Sequence, residues 1–506
     1  MKFFSRDFVL ISGANKFKAL NELYQYVYCN DIKLFYEPSS LSINSWLINK
    51  TDSCGLILKQ ENPFMPVYFY SKKDVNIISP NYEHLFNLTP QLSINNKGII
   101  EFVLFHTPQM NNTFHEDVKR MIGVKMILIE ENKKIRFEYY KEKETKLSLK
   151  ETFSNKASRF FIPLTDKSNA IFLSGGGESR INAAGAQAYN IKKDFVTWGH
   201  PENIEYKIAG KIAGKLNTKH ISIRPEISTL PYKELLERTG FLANLQYAYR
   251  YAVFKSLFNE YGYDAVWTGW GDINGYPMMH QPSELFSEYY LGLYEGKEVF
   301  PKGWNREWLR DTHNKPDSVI TRIRESPNLQ TFFDLKREWL APVIFGQILS
   351  LENLVGPVIS PWFHPDIYSA VEQAEKRNPK LIHHKIWRTI WKNDLYFKLI
   401  KQYCPGLNYI KNSKGYYPWM VQKKTGLLGL LVAGFLKKWF SEETYPIDPV
   451  ENKTFMVNEL KRIESESHEI FSREEIQQII KTEGKWKGPD IFEYFKIIQV
   501  DWFLKK

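Results

Sequence analysis

Cysteine is scarce in this chain: there are 3 in 506 residues, Cys29, Cys54 and Cys404. They are odd in number, far apart and never arranged as CxxC, which removes a disulfide framework and a cysteine-based zinc site and fits a reducing cytoplasm. Long hydrophobic runs are missing too. The longest, GLLGLLVAGFL from Gly426 to Leu436, falls short of the roughly 18 to 20 residues needed to cross a bilayer. Lysine pairs bound it, Lys423-Lys424 and Lys437-Lys438, and it reads as a buried helix or an amphipathic docking face. Lys2, Arg6 and Asp7 place charge inside what would have to be a signal-peptide core, so a cytoplasmic location without a transmembrane segment is expected. Acidic residues are outnumbered, 57 against 68 lysines and arginines, for a net charge of +11. The bases are scattered and no RNA-binding motif accompanies them, so the excess reads as a solvated face plus a nucleotide site, with no nucleic-acid partner.

What is present suffices for large cores: 43% of residues are hydrophobic and 15% aromatic, and this length implies two or more domains. Over residues 1–150 short apolar runs alternate with turn residues. Strands are expected over Phe8-Ile11, Ser45-Ile48, Gly55-Leu58, Pro66-Tyr70, Val75-Ile78 and Lys125-Ile129, and helix-period pieces over 15–28 and 97–105, giving an α+β layered domain. The polar stretch 141–158 reads as a linker. From 159 to 506 the pattern changes: strands near 170–173, 194–198, 219–223 and 264–268 alternate with helices over 180–189, 203–216, 232–239 and 245–261. That order predicts an α/β fold with a parallel, doubly wound sheet, largely helical after about residue 282.

The chain is organised around one turn. The apolar run Ala170-Ile171-Phe172-Leu173 breaks into Ser174, Gly175, Gly176, Gly177, Glu178 and Ser179 just where a helix opens. Glycines admit close backbone approach, Ser174 and Ser179 can donate hydroxyl hydrogen bonds, and a helix start offers unpaired N–H groups, so the turn reads as a polyphosphate cradle. Glu178 makes sense beside a phosphate mainly if a divalent cation lies between them. The spacing matches neither GxxxxGK[ST] nor GxGxxG.

SGGGES resembles the SGGxDS pyrophosphate loop of the N-type ATP pyrophosphatases, and further motifs point to the asparagine synthetase-like branch. Thr268-Gly269-Trp270-Gly271-Asp272 resembles that family's SGEGxDE loop, with Trp270 where glutamate is usual. WGHPENIEYKIAGKIAGKLNTKH resembles its second-strand segment, in which a short acidic motif precedes the helix and a histidine, here His220, follows it. Gln281-Pro282-Ser283-Glu284-Leu285-Phe286 is similar to the lasso peptide cyclases, Val358 to His364 to the family's VPFLD segment with histidine for aspartate, and Lys385 to Ile390 and Tyr409 to Trp419 to its LR and RxKxGFxxP stretches, where Lys414 matches the active-site lysine. PVYFY, Ile77-Ile78-Ser79, Ile99 to Phe105 and Ile122 to Lys125 resemble the family's N-terminal glutaminase domain. In that family the nucleophile is an amino-terminal cysteine exposed by loss of the first methionine. Lys2 stands there in this sequence, so residues 1–150 are expected to form a degenerate glutaminase-like domain and 159–506 an ATP-pyrophosphatase domain.

The resemblance implies an ATP-dependent amidoligase that adenylates a substrate carboxylate, releases pyrophosphate and passes the acyl group to an amine or ammonia without a glutaminase activity of its own. ATP would contact Leu173 to Ser179, Thr197, Gly269 and Gly271; magnesium would be held by Glu178 and Asp272; Lys414 would stabilise developing negative charge. The implied partners are a carboxylate-bearing small molecule or peptide and an amine donor, with room for a peptide-delivery protein. Macrolactam closure, as in lasso peptide cyclases and β-lactam synthetases, is one form this chemistry takes. The competing reading is a catalytically silent paralogue acting as a binding or scaffold subunit.

Overall fold

The structure, a computed structural model, describes residues 2–12, 25–29, 32–38, 46–50, 56–60, 65–72, 75–89, 92–105, 108, 111–129, 135–139, 147–199, 201–224, 231–242, 248–269, 301–313, 325, 331, 351, 355–413, 415–440, 449–466, 469–486 and 488–505. The first ten strands, β1 (Lys2–Ser12), β2 (Gln25–Cys29), β3 (Ile32–Pro38), β4 (Trp46–Lys50), β5 (Leu56–Gln60), β6 (Val67–Lys72), β7 (Val75–Ser79), β8 (Val118–Met121), β9 (Val124–Ile129) and β10 (Ile135–Tyr139), form one sheet. Every pairing in it is antiparallel. The order is β10-β9-β5-β4-β1-β7-β6-β8, with β3 also on β1 and β2 on β3. β1 is shared: Lys2 to Ser5 pair with β4 and Leu10 to Ser12 with β7, and its register against β3 shifts between Ser5 and Phe8. Such a bulge bends a strand, which lets one strand serve two sets of neighbours.

Two short helices, α1 (Glu83–Leu88) and α2 (Asn96–Phe105), accompany this sheet. The helix expected over 15–28 is corrected in its described part, because residues 25–29 are β2. Tyr26, Val27 and Tyr28 are β-formers, and Cys29 pairs with Ile32 across a two-residue connection, Asn30-Asp31, of turn-forming types. The expected linker is corrected likewise: its second half lies in α3 (Leu149–Phe161), begun by a capping box in which Ser148 accepts from the Glu151 N–H and Glu151 accepts from the Ser148 N–H.

A second sheet contains β11 (Asn169–Phe172), β12 (Lys193–Trp198), β13 (His220–Ile223), β14 (Ala265–Trp267) and β15 (Val358–Ile359), all parallel, in the order β13-β12-β11-β14-β15. Between its strands run α4 (Gly177–Ala188), α5 (Ile204–Lys215), α6 (Tyr232–Arg238) and α7 (Ala248–Lys255), the last continuing through a wider turn at Ser256–Glu260. Successive residues of a strand face opposite ways, so Ile171 and Trp267 enter one apolar core while Ala170, Phe172 and Val266 enter another. The sheet is therefore covered on both faces, which explains the apolar runs Ala170-Ile171-Phe172 and Ala265-Val266-Trp267 in its central strands.

After β14 the described elements are helical apart from β15: α8 (Arg306–His313), α9 (Pro365–Arg377), α10 (Lys380–His383), α11 (Lys385–Tyr403), α12 (Gly426–Phe440), α13 (Pro449–Ser465), α14 (Arg473–Lys481) and α15 (Gly488–Leu504). The last three do not extend the parallel sheet. They share a core with α1, α2, β6 and β8, so the chain's end returns to its beginning. Phe503 meets the rings of Phe114 at 4.9 Å, His115 at 5.1 Å and Phe241 at 5.4 Å, and the buried Lys496 ammonium donates to the Val103 carbonyl at 2.7 Å and to Glu493 at 2.9 Å. A domain boundary near residue 150 thus divides the sheets but not the cores. Phe503→Ala should cost about 3–5 kcal/mol through the cavity it leaves. Limited proteolysis of that variant should expose both chain ends together; cleavage confined to 449–505, with 65–129 still protected, would refute the shared core.

Candidate functional site

The order β13-β12-β11-β14-β15 places the chain reversal between β11 and β14, where an open α/β sheet leaves a crevice beyond its strand ends. The glycine turn follows β11 at that point. Leu173 is held in line by its N–H on the Val196 carbonyl (2.8 Å), and its own carbonyl accepts from Thr197 Oγ1 (2.7 Å). The Thr197 oxygen also lies 3.0 Å from His220 Nε2. Thr197 therefore stands beside the turn as expected, with its hydroxyl proton committed to fixing Leu173. His220 sits half-buried in β13, stacked on Tyr206, and burial pushes its pKa down, in keeping with a strand-edge rather than a catalytic histidine.

The serines fold the turn. Ser174 N–H donates to Ser179 Oγ (3.2 Å), the two hydroxyls lie 3.1 Å apart, and the Gly176 N–H donates to Ser174 Oγ (3.1 Å). One hydroxyl proton is spent between the two oxygens, so one remains for a ligand. Gly176 is the N-cap of α4 and brings no side-chain cap. Three glycines are needed because protein closes on them. A Cβ on Gly175 would lie 2.6 Å from Ser413 Cβ, one on Gly177 would lie 2.1 Å from the Tyr396 ring, and one on Gly269 would lie 3.0 Å from the Ser179 nitrogen. A Cβ on Gly176 would meet only Ser174 Oγ at 3.2 Å and the Glu178 carboxylate at 3.7 Å, which leaves that glycine as the open face of the cradle.

Glu178, in the first turn of α4, accepts a hydrogen bond from the Tyr396 hydroxyl and lies 3.3 Å from Lys392 Nζ. Burial, and then the Glu178 charge, hold the Tyr396 pKa well above the usual phenol value, so the phenol keeps its proton and remains a donor. Arg388, Lys392 and Tyr396 recur every four residues on α11 and so share one face. Arg388 is itself anchored in a buried ion pair with Glu375 at 2.6 Å. This stripe was missed by sequence reasoning; the spacing of four between Arg388, Lys392 and Tyr396 was the available signal, and the other polar residues of the helix obscure it.

Arg180 stands one turn inside α4 at 1% exposure. Its guanidinium donates to the Leu407 (3.2 Å), Ile410 (2.7 Å) and Lys411 (3.1 Å) carbonyls, and burial lowers its pKa to about 10. It thereby pins the segment that carries Ser413 against Gly175. Asn182 Nδ2 similarly donates to the Thr268 carbonyl (3.0 Å), tying α4 to the end of β14.

These elements enclose a cleft of about 460 Å³, bordered by the glycine turn, the start of α5, the α11 stripe and the turn 412–418. Glu205 lines it too, another residue that sequence reasoning did not select; an acid in the first turn after a strand was the signal. Burial pushes its carboxyl pKa up, partly offset by a hydrogen bond from Ser413. The cleft therefore holds two carboxylates, Glu178 and Glu205, with Lys392 and Arg388 across from them. The structure brings together Leu173 to Ser179, Thr197 and Gly269. Gly271, Asp272 and Lys414 lie outside the described residues, as does the stretch 281–286, although Ser413, next to Lys414, lines the cleft. Among the described residues no group of three or more histidine, cysteine, aspartate or glutamate side chains is arranged to hold a metal.

His364 occupies the N-cap of α9, where Nδ1 accepts from the Asp366 N–H at 3.2 Å. Only a neutral imidazole can accept there, so the side chain serves as a helix cap in its uncharged form. Burial lowers its pKa to about 4, opposed by Asp366 and helped by Lys156 and Arg159.

No family model matches the chain, and no curated protein matches it.

Because the folded value of His364 lies below the unfolded one, its contribution is complete above about pH 6.5 and is lost as pH falls through about 4. The loss should be on the order of 3 kcal/mol at full protonation. His364→Asn, which keeps an acceptor for the Asp366 N–H, should flatten the stability profile over that window. Urea unfolding at several pH values measures both chains, and parallel profiles would remove His364 as the source.

Proposed function

We propose that the protein is an ATP-dependent amide-bond-forming enzyme that activates a substrate carboxylate as an acyl-adenylate and transfers the acyl group to an amine. The observation carrying this reading is the Ser174–Ser179 turn, which lies at the reversal point of the parallel sheet and opens into a cleft lined by both carboxylates and cations. A dinucleotide site would serve the same sheet order, but the turn lacks that fingerprint. Support for ATP comes from the open face at Gly176, the uncapped start of α4 and the spare serine proton. Hard oxygen donors suit magnesium, so Glu178 fits as one ligand, with Asp272 as the other in this reading. Bound there, magnesium would neutralise polyphosphate charge. The Glu178 carboxylate now faces Lys392, which on losing that partner becomes a cation for phosphate oxygens at the same place.

In the first half-reaction a carboxylate oxygen of the substrate attacks the α-phosphorus and the bond to the bridging oxygen breaks, releasing pyrophosphate. In the second, the amine nitrogen attacks the acyl carbon, the bond to AMP breaks and the nitrogen loses a proton. Glu205, whose carboxylate is made more basic by burial, lies in the cleft as an acceptor for that proton. Lys414 would hold the negative charge that grows in the transition state. An amine delivered as such, rather than from glutamine, is the reading that follows from Lys2 at the position of the glutaminase nucleophile. Free carboxylates, peptides among them, are the substrate class.

One observation favours the second reading, a catalytically silent binding subunit: Tyr396 and Ser413 fill the spaces over Gly177 and Gly175, so the cradle is narrowed by the protein itself. Equilibrium binding of ATP separates the two. The active reading expects binding that strengthens with magnesium, with Glu178→Gln weakening the magnesium-dependent part on the order of a hundredfold. Lys414→Ala should lower single-turnover product formation far more than ATP affinity. Absence of ATP binding with and without magnesium would leave the silent reading standing.

A further inference from the structure

The apolar run that is too short to cross a bilayer forms α12, and most of its bulk faces outward. Leu427, Leu428, Leu431, Val432 and Phe435 are between 41% and 72% exposed. At 100° per residue they occupy one continuous arc of the helix. The opposite side is pressed onto the protein: Ala433 packs with Tyr416 and Val421, and a Cβ on Gly429 would lie 2.1 Å from the Met420 carbonyl. Five large apolar side chains on one arc of a helix exceed the scattered exposure that a surface normally carries.

Charge indicates what covers them. From Cys404 to Ser441 the chain has 6 lysines and no aspartate or glutamate. Lys423 and Lys424 are exposed just before the helix, Lys437 and Lys438 follow the apolar run in sequence, and Trp419 is exposed nearby. A second copy of the same face would set lysines against lysines, which disfavours self-pairing. The combination of leucine, phenylalanine and tryptophan with flanking lysines matches a helix lying in the plane of an anionic lipid surface. At 15 residues the helix is about 22 Å long, too short to span a bilayer, and among the described residues no helix is long and apolar enough to cross a membrane.

From this geometry we infer that α12 is a membrane-surface docking helix: its Leu427–Phe435 arc enters the headgroup region of an anionic bilayer while the lysines at its ends hold lipid phosphates. Tyr416 both lines the cleft and packs under α12, so the cleft and the helix share one wall. The inference rests on exposure and charge and is independent of the proposed amide-forming activity.

Flotation of the full chain with phosphatidylcholine vesicles, with and without phosphatidylglycerol, tests it. The protein should float with the anionic vesicles, and salt should weaken the association. Lys423→Glu with Lys424→Glu should lower partitioning at least on the order of tenfold. Leu428→Glu with Leu431→Glu should abolish it, and both double variants should keep the wild-type thermal melt because the replaced side chains are exposed. A tryptophan placed by Leu431→Trp should shift its emission to the blue on anionic vesicles. The inference is overturned if the full chain fails to float with anionic vesicles, if flotation survives the two leucine substitutions, or if those substitutions instead dissociate a dimer of a protein that does not bind vesicles.

Discussion

The arrangement of the cleft depends on a steric constraint: two positions in the turn after β11 must lack a side chain. Gly177 lets the Tyr396 ring of α11 come against the start of α4, and Gly175 lets Ser413 come against the turn. An added methyl at either position would meet a ring or a backbone nitrogen at less than 3.0 Å, so the helix or the 412–418 turn would have to move. Once these contacts are made, Tyr396 reaches Glu178, and Lys392, one helical turn earlier, reaches the same carboxylate. Glycine thus serves the packing of three elements.

Charged groups drawn into the interior by that packing keep their charge by pairing or by hydrogen bonds. Arg180 places its two terminal guanidinium nitrogens on three main-chain carbonyls, and Arg388 meets Glu375. Removing one partner of such a buried pair typically costs about 3–5 kcal/mol, whereas the intact pair adds little net stability. Their value lies in position: Arg180 locates the chain from Leu407 to Lys411, and the anchored Arg388 orients the α11 stripe toward the cleft. At the other end of the molecule Lys496 does the same on a smaller scale, joining α15 to the end of α2 through the Val103 carbonyl.

Cleft and docking helix lie on opposite sides of one short segment. Tyr416 borders the cleft and also forms the floor beneath α12, with its hydroxyl donating to Asn393 of α11 at 3.4 Å. A movement of α12 would therefore act on the same turn that Arg180 and Ser413 hold against the glycine loop.

Local sequence was enough for whatever depended on local periodicity. The central parallel strands β11 and β14 were readable as apolar runs because both faces of that sheet are buried, and α5 matched its expected bounds because Asn203 caps it and its apolar residues recur every fourth position. The glycine turn was readable because abrupt loss of side chains between a strand and a helix has few other uses. Residues 25–29 were misassigned because aromatic and apolar spacing over a short window fits a helix or a strand equally, and only pairing with β3 decides. The linker was misread because polar content says nothing about the far side of a helix, where Leu149, Phe153, Ala157 and Phe161 are buried. Tertiary structure alone decided that the chain's end packs on its beginning, that Arg388, Lys392 and Tyr396 face the glycine turn, and that the leucines of α12 face outward, because each of these facts depends on which surface is left uncovered after distant segments have met.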